Sequence, residues 1–363
     1  MVDLAGHLAE PAARHGRGAL SNVSGRFERL SRELIDDGWE RREPEPPRLR
    51  TTVSRDASRS VITRNDSPDL GFDRSINPYR GCEHGCIYCF ARPSHAYLGL
   101  SPGLDFESRL FVKADAARLL EAELGRPGYR PAPIALGTNT DPYQPIEREW
   151  RVTRGVLQVL AAHGHPVTVV TKSDLVTRDI DVLAPMAAQG LVKVALSVTT
   201  LDGRLARRME PRAPRPKRRL EAMRALSRAG IPTGVMVAPL IPTLNDPEIE
   251  AILEAAAEAG AREAGYILLR LPHEIKQLFR EWLDEHAPHR AARIMRLVRE
   301  MRGGRDYDAT FHERMTGTGR YAELIKRRFE LGCRRFGLNR DPVRLESRRF
   351  RAPRAPEDQL ALF

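Results

Sequence analysis

Long apolar runs and cysteines are both scarce in this 363-residue sequence, and each shortage narrows the class of protein. No stretch approaches the roughly 20 apolar residues that a membrane-spanning helix needs. The charged N-terminus lacks the apolar core of a signal peptide, so we expect a cytoplasmic protein. Only four cysteines occur, and three of them lie between residues 82 and 89. This layout does not suit a disulfide framework, but it suits a metal ion or cluster.

Acidic residues are the minority among the charged ones. Asp and Glu number 48 against 59 Lys and Arg, which gives a net charge of +11. A basic surface favours a polyanion such as DNA, because each neutralised phosphate releases condensed counterions. Many arginine-rich proteins are basic without binding nucleic acid, so charge alone leaves the partner open.

Strand and helix patterns alternate through the middle of the chain. Apolar runs predict strands at Ile76–Tyr79, Ile134–Leu136, Val167–Thr171, Val192–Val198, Thr233–Val237 and Ala264–Leu269. Amphipathic segments between them predict helices at Lys113–Leu124, Arg151–His163, Asp179–Gln189, Pro216–Ala229 and Pro247–Ala259. Six β–α units in series imply an α/β fold with a parallel sheet, either a barrel, an open partial barrel or a doubly wound sheet.

Composition divides the chain into four parts. We expect a partly ordered N-terminal arm over residues 1–68, rich in Arg, Glu, Pro and Ser, and the α/β domain over 69–275. A helical C-terminal extension over 276–340 follows, with an amphipathic helical pattern from Pro272 to about Phe336. Residues 341–363 are predicted to form a flexible tail.

The cysteines follow the first predicted strand, in the motif Gly81-Cys82-Glu83-His84-Gly85-Cys86-Ile87-Tyr88-Cys89-Phe90. Three thiolates on one tight loop can ligate three irons of a [4Fe–4S] cubane and leave the fourth iron open. A zinc site is the alternative, with His84 or Cys333 as fourth ligand. The usual C-x₂-C pairs of zinc sites are absent, so the motif favours the cluster.

The motif and its surroundings resemble the radical S-adenosylmethionine (SAM) family, in particular the branch of spore photoproduct lyase and its "DNA repair photolyase" relatives. The likeness spans about residues 70–340 and includes residues 77–89, 137–145, 171–173, 197–199 and 210–214. It implies a partial (β/α)₆ TIM-like barrel of the radical SAM type. It further implies a lyase-like enzyme of DNA repair whose [4Fe–4S] cluster, bound by Cys82, Cys86 and Cys89, cleaves SAM to a 5′-deoxyadenosyl radical.

The resemblance also implies which residues bind SAM. The adenine would lie between Tyr88 and Phe90, and Ser197 would meet the ribose or the carboxylate. Lys172 would meet the carboxylate, because its ammonium group can form a charge-assisted hydrogen bond. The amino group would face the loop after the second strand, which consists of Thr138, Asn139, Thr140 and Asp141. The simpler alternatives are a plain turn at Asp141-Pro142 and a solvent-facing Lys172.

Two departures from the family pattern concern the path of the hydrogen atom. Spore photoproduct lyase has a hydrogen-donating cysteine in the loop after its second strand, where this chain has Gly137 and Thr138. The tyrosine after its third cluster cysteine is here Phe90. We therefore expect Tyr143 and Tyr97 to serve as alternative hydrogen-atom relays, and Cys333 to be a core residue.

The chain ends in Gln359-Leu360-Ala361-Leu362-Phe363, which resembles the peptide by which bacterial repair proteins bind the DNA sliding clamp. Gln359, Leu360, Leu362 and Phe363 would be its anchors on a Pro-rich tether. An electron donor such as flavodoxin or ferredoxin is a further expected partner. Two other functions stay open: radical SAM modification of RNA or protein, and a non-catalytic, clamp-associated iron–sulfur accessory protein.

Overall fold

Short apolar segments form the strands, and longer amphipathic segments between them form the helices. The computed structural model describes residues 14–28 and 48–353. Within these residues the strands are Thr52–Arg55 (β1), Ile62–Arg64 (β2), Arg74–Ile76 (β3), Tyr79–Arg80 (β4), Arg109–Val112 (β5), Ile134–Leu136 (β6), Val167–Thr171 (β7), Val192–Ser197 (β8), Thr233–Leu240 (β9) and Glu263–Leu268 (β10). The α-helices are Leu104–Ser108 (α1), Ala116–Leu124 (α2), Glu147–Trp150 (α3), Val152–Ala162 (α4), Ile180–Ala188 (α5), Gly203–Met209 (α6), Pro216–Arg228 (α7), Ile249–Glu258 (α8), Ile275–His286 (α9), Pro288–Glu300 (α10) and Gly319–Phe336 (α11).

The large sheet has the strand order β10-β9-β8-β7-β6-β3-β2. Its strands from β3 to β10 are parallel, and β2 pairs antiparallel with β3 at one edge. The parallel strands follow one another in chain order, whereas a doubly wound sheet reverses its order at a switch point. Because β10 and β2 are the two edges, the barrel is open on one side. The prediction of a partial (β/α)₆ barrel is therefore confirmed, and the doubly wound alternative is wrong.

The first predicted strand is divided between two sheets. Ile76 ends β3 in the large sheet, whereas Tyr79 begins β4 in a small sheet of order β1-β5-β4. Pro78 lies at the break, where its missing N–H prevents it from continuing the ladder. The cysteine motif begins directly after β4, so this small sheet fixes its starting point.

Two large apolar clusters make up most of the core in the described part of the molecule. The larger one fills the space between the barrel strands and the surrounding helices α2, α4, α5, α7, α8 and α11. Cys333 belongs to this cluster and is 5% exposed, which confirms its prediction as a core residue. The second cluster joins α9 and α10 to Cys86, Ile87 and Tyr88 of the cysteine motif. The C-terminal helices therefore pack directly against the loop that carries the cysteines.

The C-terminal extension is less helical than the sequence pattern predicts, since residues 301–318 form a loop. Gly303 and Gly304 have positive φ angles of 60° and 84°, a conformation that ends α10. The loop runs from β10, where the N–H of Leu268 donates to the carbonyl of Met315, towards the connection between β2 and β3, where Arg314 pairs with Asp69. It therefore crosses the open side of the barrel.

Residues 341–353 belong to the predicted tail, and in the structure they lie against the amino ends of the strands. The N–H of Val343 donates to Glu263 at the start of β10, and that of Glu346 donates to the carbonyl of Gly190 before β8. The ring of Phe350 lies 5.4 Å from those of Tyr129 and His165. This segment covers the barrel end opposite the cysteine motif. None of the described helices is long and apolar enough to cross a membrane.

Candidate active site

The cysteine motif forms a tight, buried loop at the carboxyl end of the barrel. The side chains of Cys82 and Cys86 are each 7% exposed, and Cys89 is half-buried. Gly85 has a φ of 67°, and a Cβ atom there would lie 2.5 Å from a carboxylate oxygen of Glu107. Glycine is needed at this position because a side chain would meet both backbone strain and a collision.

The three thiols share an environment that disfavours their ionisation. Burial raises the pKa of Cys82, Cys86 and Cys89, and that of Cys86 reaches about 12. Repulsion from neighbouring thiolates raises the pKa of Cys82 and of Cys86 further, whereas the ammonium group of Lys172 lowers that of Cys86. Positive charge brought by bound iron would reverse this balance, because coordinated thiols are deprotonated.

The three thiols lie on one short loop, as the ligands of a cubane cluster can. Among the described residues, no three His, Cys, Asp or Glu side chains converge closely enough to hold one metal ion. In a cubane each thiolate binds a different iron, so its ligands need not converge on one point. Cys82, Cys86 and Cys89 therefore fit the [4Fe–4S] ligand set that the motif predicts.

The loop after β6 holds one side of the cysteine loop. The side-chain oxygen of Gln144 accepts from the N–H of Glu83 at 2.9 Å, and its amide nitrogen donates to the carbonyl of Gly81 at 3.1 Å. The hydroxyl of Thr140 donates to the carbonyl of Tyr79. Because Gln144 is fully buried, these bonds fix the loop's position from inside the protein.

Asp141 connects the loops that follow β6 and β7 with the cysteine loop. Its carboxylate accepts from the hydroxyl of Thr171 at 2.6 Å and from the N–H of Lys172 at 2.8 Å, and it lies 3.3 Å from Nδ1 of His84. Burial opposes ionisation of Asp141, but attraction to His84 and these hydrogen bonds lower its pKa to about 2. The carboxylate is therefore ionised and already engaged by the protein.

A fully buried carboxylate, that of Glu210, holds the other side of the cysteine loop. It accepts from the hydroxyls of Tyr88 and Thr199 and forms an ion pair with Arg219, which is also buried. Burial opposes ionisation of Glu210, yet Arg219 and Lys172 lower its pKa to about 2. Tyr88 is thus anchored through its hydroxyl.

A second buried ion pair lies behind the cysteine loop. Arg92 donates to the carbonyls of Gly85 and Cys86 and pairs with Glu107, and neither charged side chain is exposed to solvent. Glu107 also accepts from the N–H groups of Gly18 and Ala19 at 2.9 and 2.8 Å. The N-terminal segment is therefore attached to the same support as the cysteines.

The predicted SAM residues occupy the loops at this end of the barrel. Lys172 follows β7, and its Nζ atom lies 5.7 Å from the centre of the Tyr88 ring. No carboxylate within the described ranges lies within ion-pair distance of Lys172. Ser197 ends β8 and is buried, whereas Phe90 is 43% exposed. Thr138 and Asn139 are half-buried beside Asn77, which accepts from the N–H of Asn139.

The two predicted tyrosine relays have different environments. Tyr143 is fully buried, and its hydroxyl donates to Asp179 at 3.0 Å. Tyr97 is 71% exposed, and its ring lies 4.9 Å from that of Phe27. Neither hydroxyl bonds to a member of the cysteine loop among the described contacts. Their role in hydrogen transfer stays a prediction, as do the SAM contacts.

Sequence inspection missed the supporting residues Gln144, Glu210 and Arg219. Gln144 and Glu210 stand within runs that resemble the radical SAM family, Gly137–Pro145 and Glu210–Pro214, so a signal was present although it assigned no role. Arg92 and Glu107 gave no signal, because a lone Arg or Glu in sequence is most often a surface residue.

An open barrel of six parallel strands, with three cysteines on a loop at its carboxyl end, defines a class of enzyme. The sequence profile of the Radical SAM superfamily matches residues 76–256, and the chain belongs to that superfamily. Its members use a [4Fe–4S] cluster together with SAM.

Similar proteins occur in a bacterium and in an archaeon. An uncharacterized protein of Mycobacterium tuberculosis is 40% identical over 232 residues, which cover 63% of this chain and 68% of the relative. An uncharacterized protein of Methanocaldococcus jannaschii is 29% identical over 173 residues, which cover 48% and 62%, respectively.

Among solved structures, spore photoproduct lyase complexed with dinucleoside spore photoproduct is similar to this chain. The TM-score is 0.50 and the sequence identity 17%, with 79% of this chain and 80% of the lyase covered. A second structure of the lyase, a mutant with bound SAM and the dinucleoside, has the same TM-score at 16% identity. At this identity the likeness establishes the fold.

Proposed function

We propose that this chain is a cytoplasmic radical SAM enzyme that acts on DNA, abstracting a hydrogen atom from a damaged or modified base. Family membership supplies the chemistry: the reduced cluster and bound SAM together generate a 5′-deoxyadenosyl radical. The observation that carries the SAM assignment is Lys172, whose Nζ atom lies 5.7 Å from the Tyr88 ring and has no carboxylate within ion-pair distance among the described residues.

The loops at the carboxyl ends of the barrel strands surround an opening that we call the mouth. Their residues would bind SAM by complementary charge and shape. Lys172 would donate to the carboxylate of SAM, and such charge-assisted bonds are the stronger class of hydrogen bond. Thr138 and Asn139 are better placed than Asp141 to meet the amino group, because the Asp141 carboxylate already accepts from Thr171 and Lys172. Ser197 would approach the ribose from the end of β8.

DNA is favoured as substrate by two independent observations. The fold resembles that of a lyase solved with a dinucleoside spore photoproduct, and the chain carries a net charge of +11. A damaged base would have to leave the stack to reach the mouth of a barrel, and weakened stacking would help to select it.

We do not expect the chain to repair the same lesion by the same hydrogen path as spore photoproduct lyase. Gly137 and Thr138 follow β6, where a cysteine would be needed, and Phe90 has no hydroxyl hydrogen to pass on. Tyr143 and Tyr97 stay the proposed relays. Because Tyr143 is buried against Asp179, its participation would require that hydrogen bond to open.

Recruitment by the sliding clamp is the second part of the proposal. Gln359, Leu360, Leu362 and Phe363 lie outside the described residues. The last described residues, 351–353, lie at the barrel end opposite the cysteines, where the N–H of Arg351 donates to the carbonyl of His163. A clamp bound to the tail would therefore leave the mouth accessible to DNA.

The proposal is tested with anaerobically reconstituted, dithionite-reduced protein by measuring SAM cleavage to 5′-deoxyadenosine. UV-irradiated or oxidised DNA should stimulate the cleavage, whereas undamaged DNA of the same sequence should not. If only RNA or protein stimulated the cleavage, then RNA or protein, and not DNA, would be the substrate. An intact, reducible cluster that never cleaves SAM would favour the clamp-associated accessory protein.

A further inference from the structure

Arginine recurs at every third residue from Arg290 to Arg305, and Glu300 is the one acidic residue in that stretch. The first four of these arginines lie on α10. Residues three apart on a helix are surface neighbours, about 5–6 Å between Cβ atoms. Arg290, Arg293, Arg296 and Arg299 therefore form a continuous line, which we call the basic row.

Most of the positive charge in the basic row is not neutralised by the protein. Arg290, Arg293 and Arg296 are exposed, and in the part of the chain that the structure describes no carboxylate forms an ion pair with them. Arg299 shares the carboxylate of Asp306 with Arg280, at 2.8 and 2.6 Å. Two cations on one carboxylate leave a net positive charge at this end of the row as well.

The basic row ends at the mouth of the barrel. Arg302, 2% exposed, donates to the carbonyls of Leu268 and Leu269 at the end of β10 and to that of Glu313. On the buried side of α10, Ile294, Met295 and Val298 pack in the cluster that contains Cys86 and Tyr88. The apolar contacts place α10 beside the cysteine loop, and the hydrogen bonds of Arg302 hold the segment after the helix at the end of β10.

Arg270 continues the positive charge from the row to the cysteine loop. Its guanidinium lies 5.0 Å from the ring of Phe90, the residue after Cys89. It is held by Tyr307 and Met315 of the loop that crosses the open side of the barrel. No ion pair to Arg270 occurs among the described residues, so its charge is available to a substrate at the mouth.

We propose that the basic row and Arg270 bind the phosphates of a nucleic acid strand and lead it to the cysteine loop. The proposal rests on the proposed function and adds the route by which DNA reaches the site. Regularly spaced guanidinium groups match a polyanion with one charge per nucleotide, and arginine binds phosphate with two parallel hydrogen bonds. The exposed ring of Phe311, beneath Arg314, offers a stacking surface for an unpaired base.

The test compares two charge-reversed variants of the full-length, anaerobically reconstituted protein. One carries Arg290→Glu, Arg293→Glu and Arg296→Glu. The control carries Lys326→Glu, Arg327→Glu and Arg334→Glu, three exposed residues of α11, the helix that packs on α8. The net charge changes by the same amount in both variants. A difference in their DNA affinity therefore depends on where the replaced charges lie. Cluster absorbance and thermal unfolding check that each variant is folded.

Binding of a labelled single-stranded DNA oligonucleotide is measured by fluorescence anisotropy over a range of salt concentrations. We expect the row variant to bind at least about tenfold more weakly, and the slope of log K against log salt to fall by about 2, roughly 0.7 for each lost contact. The control should stay within about threefold of wild type.

Equal losses in both variants, or no loss in the row variant, would overturn the proposed route while leaving DNA as the substrate. Wild-type protein that binds an acidic peptide as well as it binds DNA would also overturn it. Row-dependent DNA binding without any DNA-stimulated SAM cleavage would support the route and contradict the proposed function. The two proposals can therefore fail separately.

Discussion

At the scale of single residues, the site is built from buried charges that are paired before any cofactor binds. Glu210 with Arg219 and Glu107 with Arg92 each place a carboxylate and a guanidinium out of contact with solvent. Removing one member of a buried pair typically costs about 3–5 kcal/mol, because its partner is left uncompensated. Lys172 differs, because no carboxylate among the described residues pairs with it.

This difference predicts the effect of Lys172→Ala. The variant should bind SAM about 10- to 100-fold more weakly, since a hydrogen bond to a charged group contributes about 1.5–3 kcal/mol. The cluster should be unaffected. Equilibrium binding of SAM and iron content measure the two effects. Lys193→Ala is the matched control, because Lys193 pairs with Glu263 at the opposite end of the barrel. Equal SAM affinity in both variants would contradict the role of Lys172.

The ligand assignment predicts that Cys86→Ala abolishes cluster binding and SAM cleavage, because two thiolates would remain for three irons. Iron and sulfide content and the absorbance of the reconstituted protein measure the loss. Cys333→Ala is the control, since Cys333 lies in the main core within α11. Full cluster occupancy in Cys86→Ala would reject the assignment.

At the scale of elements, the local hydrophobic pattern predicts the barrel strands and helices better than the segments that pack around the barrel. Strands β6 and β7 begin and end where their apolar runs do, since a buried parallel strand is apolar on both faces. The sequence pattern predicts helix over residues 301–318 because the flanking segments are amphipathic, but the structure has a loop there. Two adjacent glycines, Gly303 and Gly304, end the helix there.

The N-terminal segment shows why part of the site escapes sequence inspection. Residues 14–28 contain no periodic apolar pattern, and the sequence predicts only a partly ordered arm. In the structure Ser21 donates to Glu281 of α9, and the N–H groups of Gly18 and Ala19 donate to Glu107. Such contacts depend on partners about 90 to 260 residues away, which no local pattern reports. The boundaries of the four parts stay a prediction.

This packing predicts that Gly18→Ala displaces the N-terminal segment from the cysteine loop. The added Cβ would lie 1.8 Å from the carbonyl oxygen of Gly85, and overpacking of this kind typically costs about 1–3 kcal/mol. Thermal unfolding and the rate of cluster loss under air should both reveal it. Gly71→Ala is the control, because a Cβ there meets no atom within 4 Å. Identical behaviour of the two variants would show that the segment does not support the loop.

At the scale of the whole molecule, the proposed function gives the two ends of the barrel different roles. The cysteine loop, Lys172 and Arg270 lie at the carboxyl ends of the strands, and residues 341–353 cover the amino ends. Chemistry and recruitment by a clamp would therefore use opposite faces. The sequence motifs could predict this division only in part, because the path of residues 341–353 depends on contacts with the distant residues Glu263, Gly190 and His163.

Deleting residues 359–363 should therefore leave SAM cleavage unchanged and abolish affinity for the sliding clamp, because the anchors Leu360, Leu362 and Phe363 are removed. Surface plasmon resonance against immobilised clamp measures the affinity. A variant with Leu362→Ala and Phe363→Ala is the matched control for chain length. Clamp affinity that survives both changes would rule out the tail as the binding segment.

Isotope transfer from DNA to 5′-deoxyadenosine would report hydrogen abstraction from DNA. Reduced protein is incubated with SAM and deuterium-labelled, UV-irradiated DNA, and the 5′-deoxyadenosine formed is analysed by mass spectrometry. We expect deuterium in the product, and none when undamaged labelled DNA is used. Product that forms at the same rate but carries no deuterium would contradict this expectation, because the hydrogen would then come from a source other than DNA.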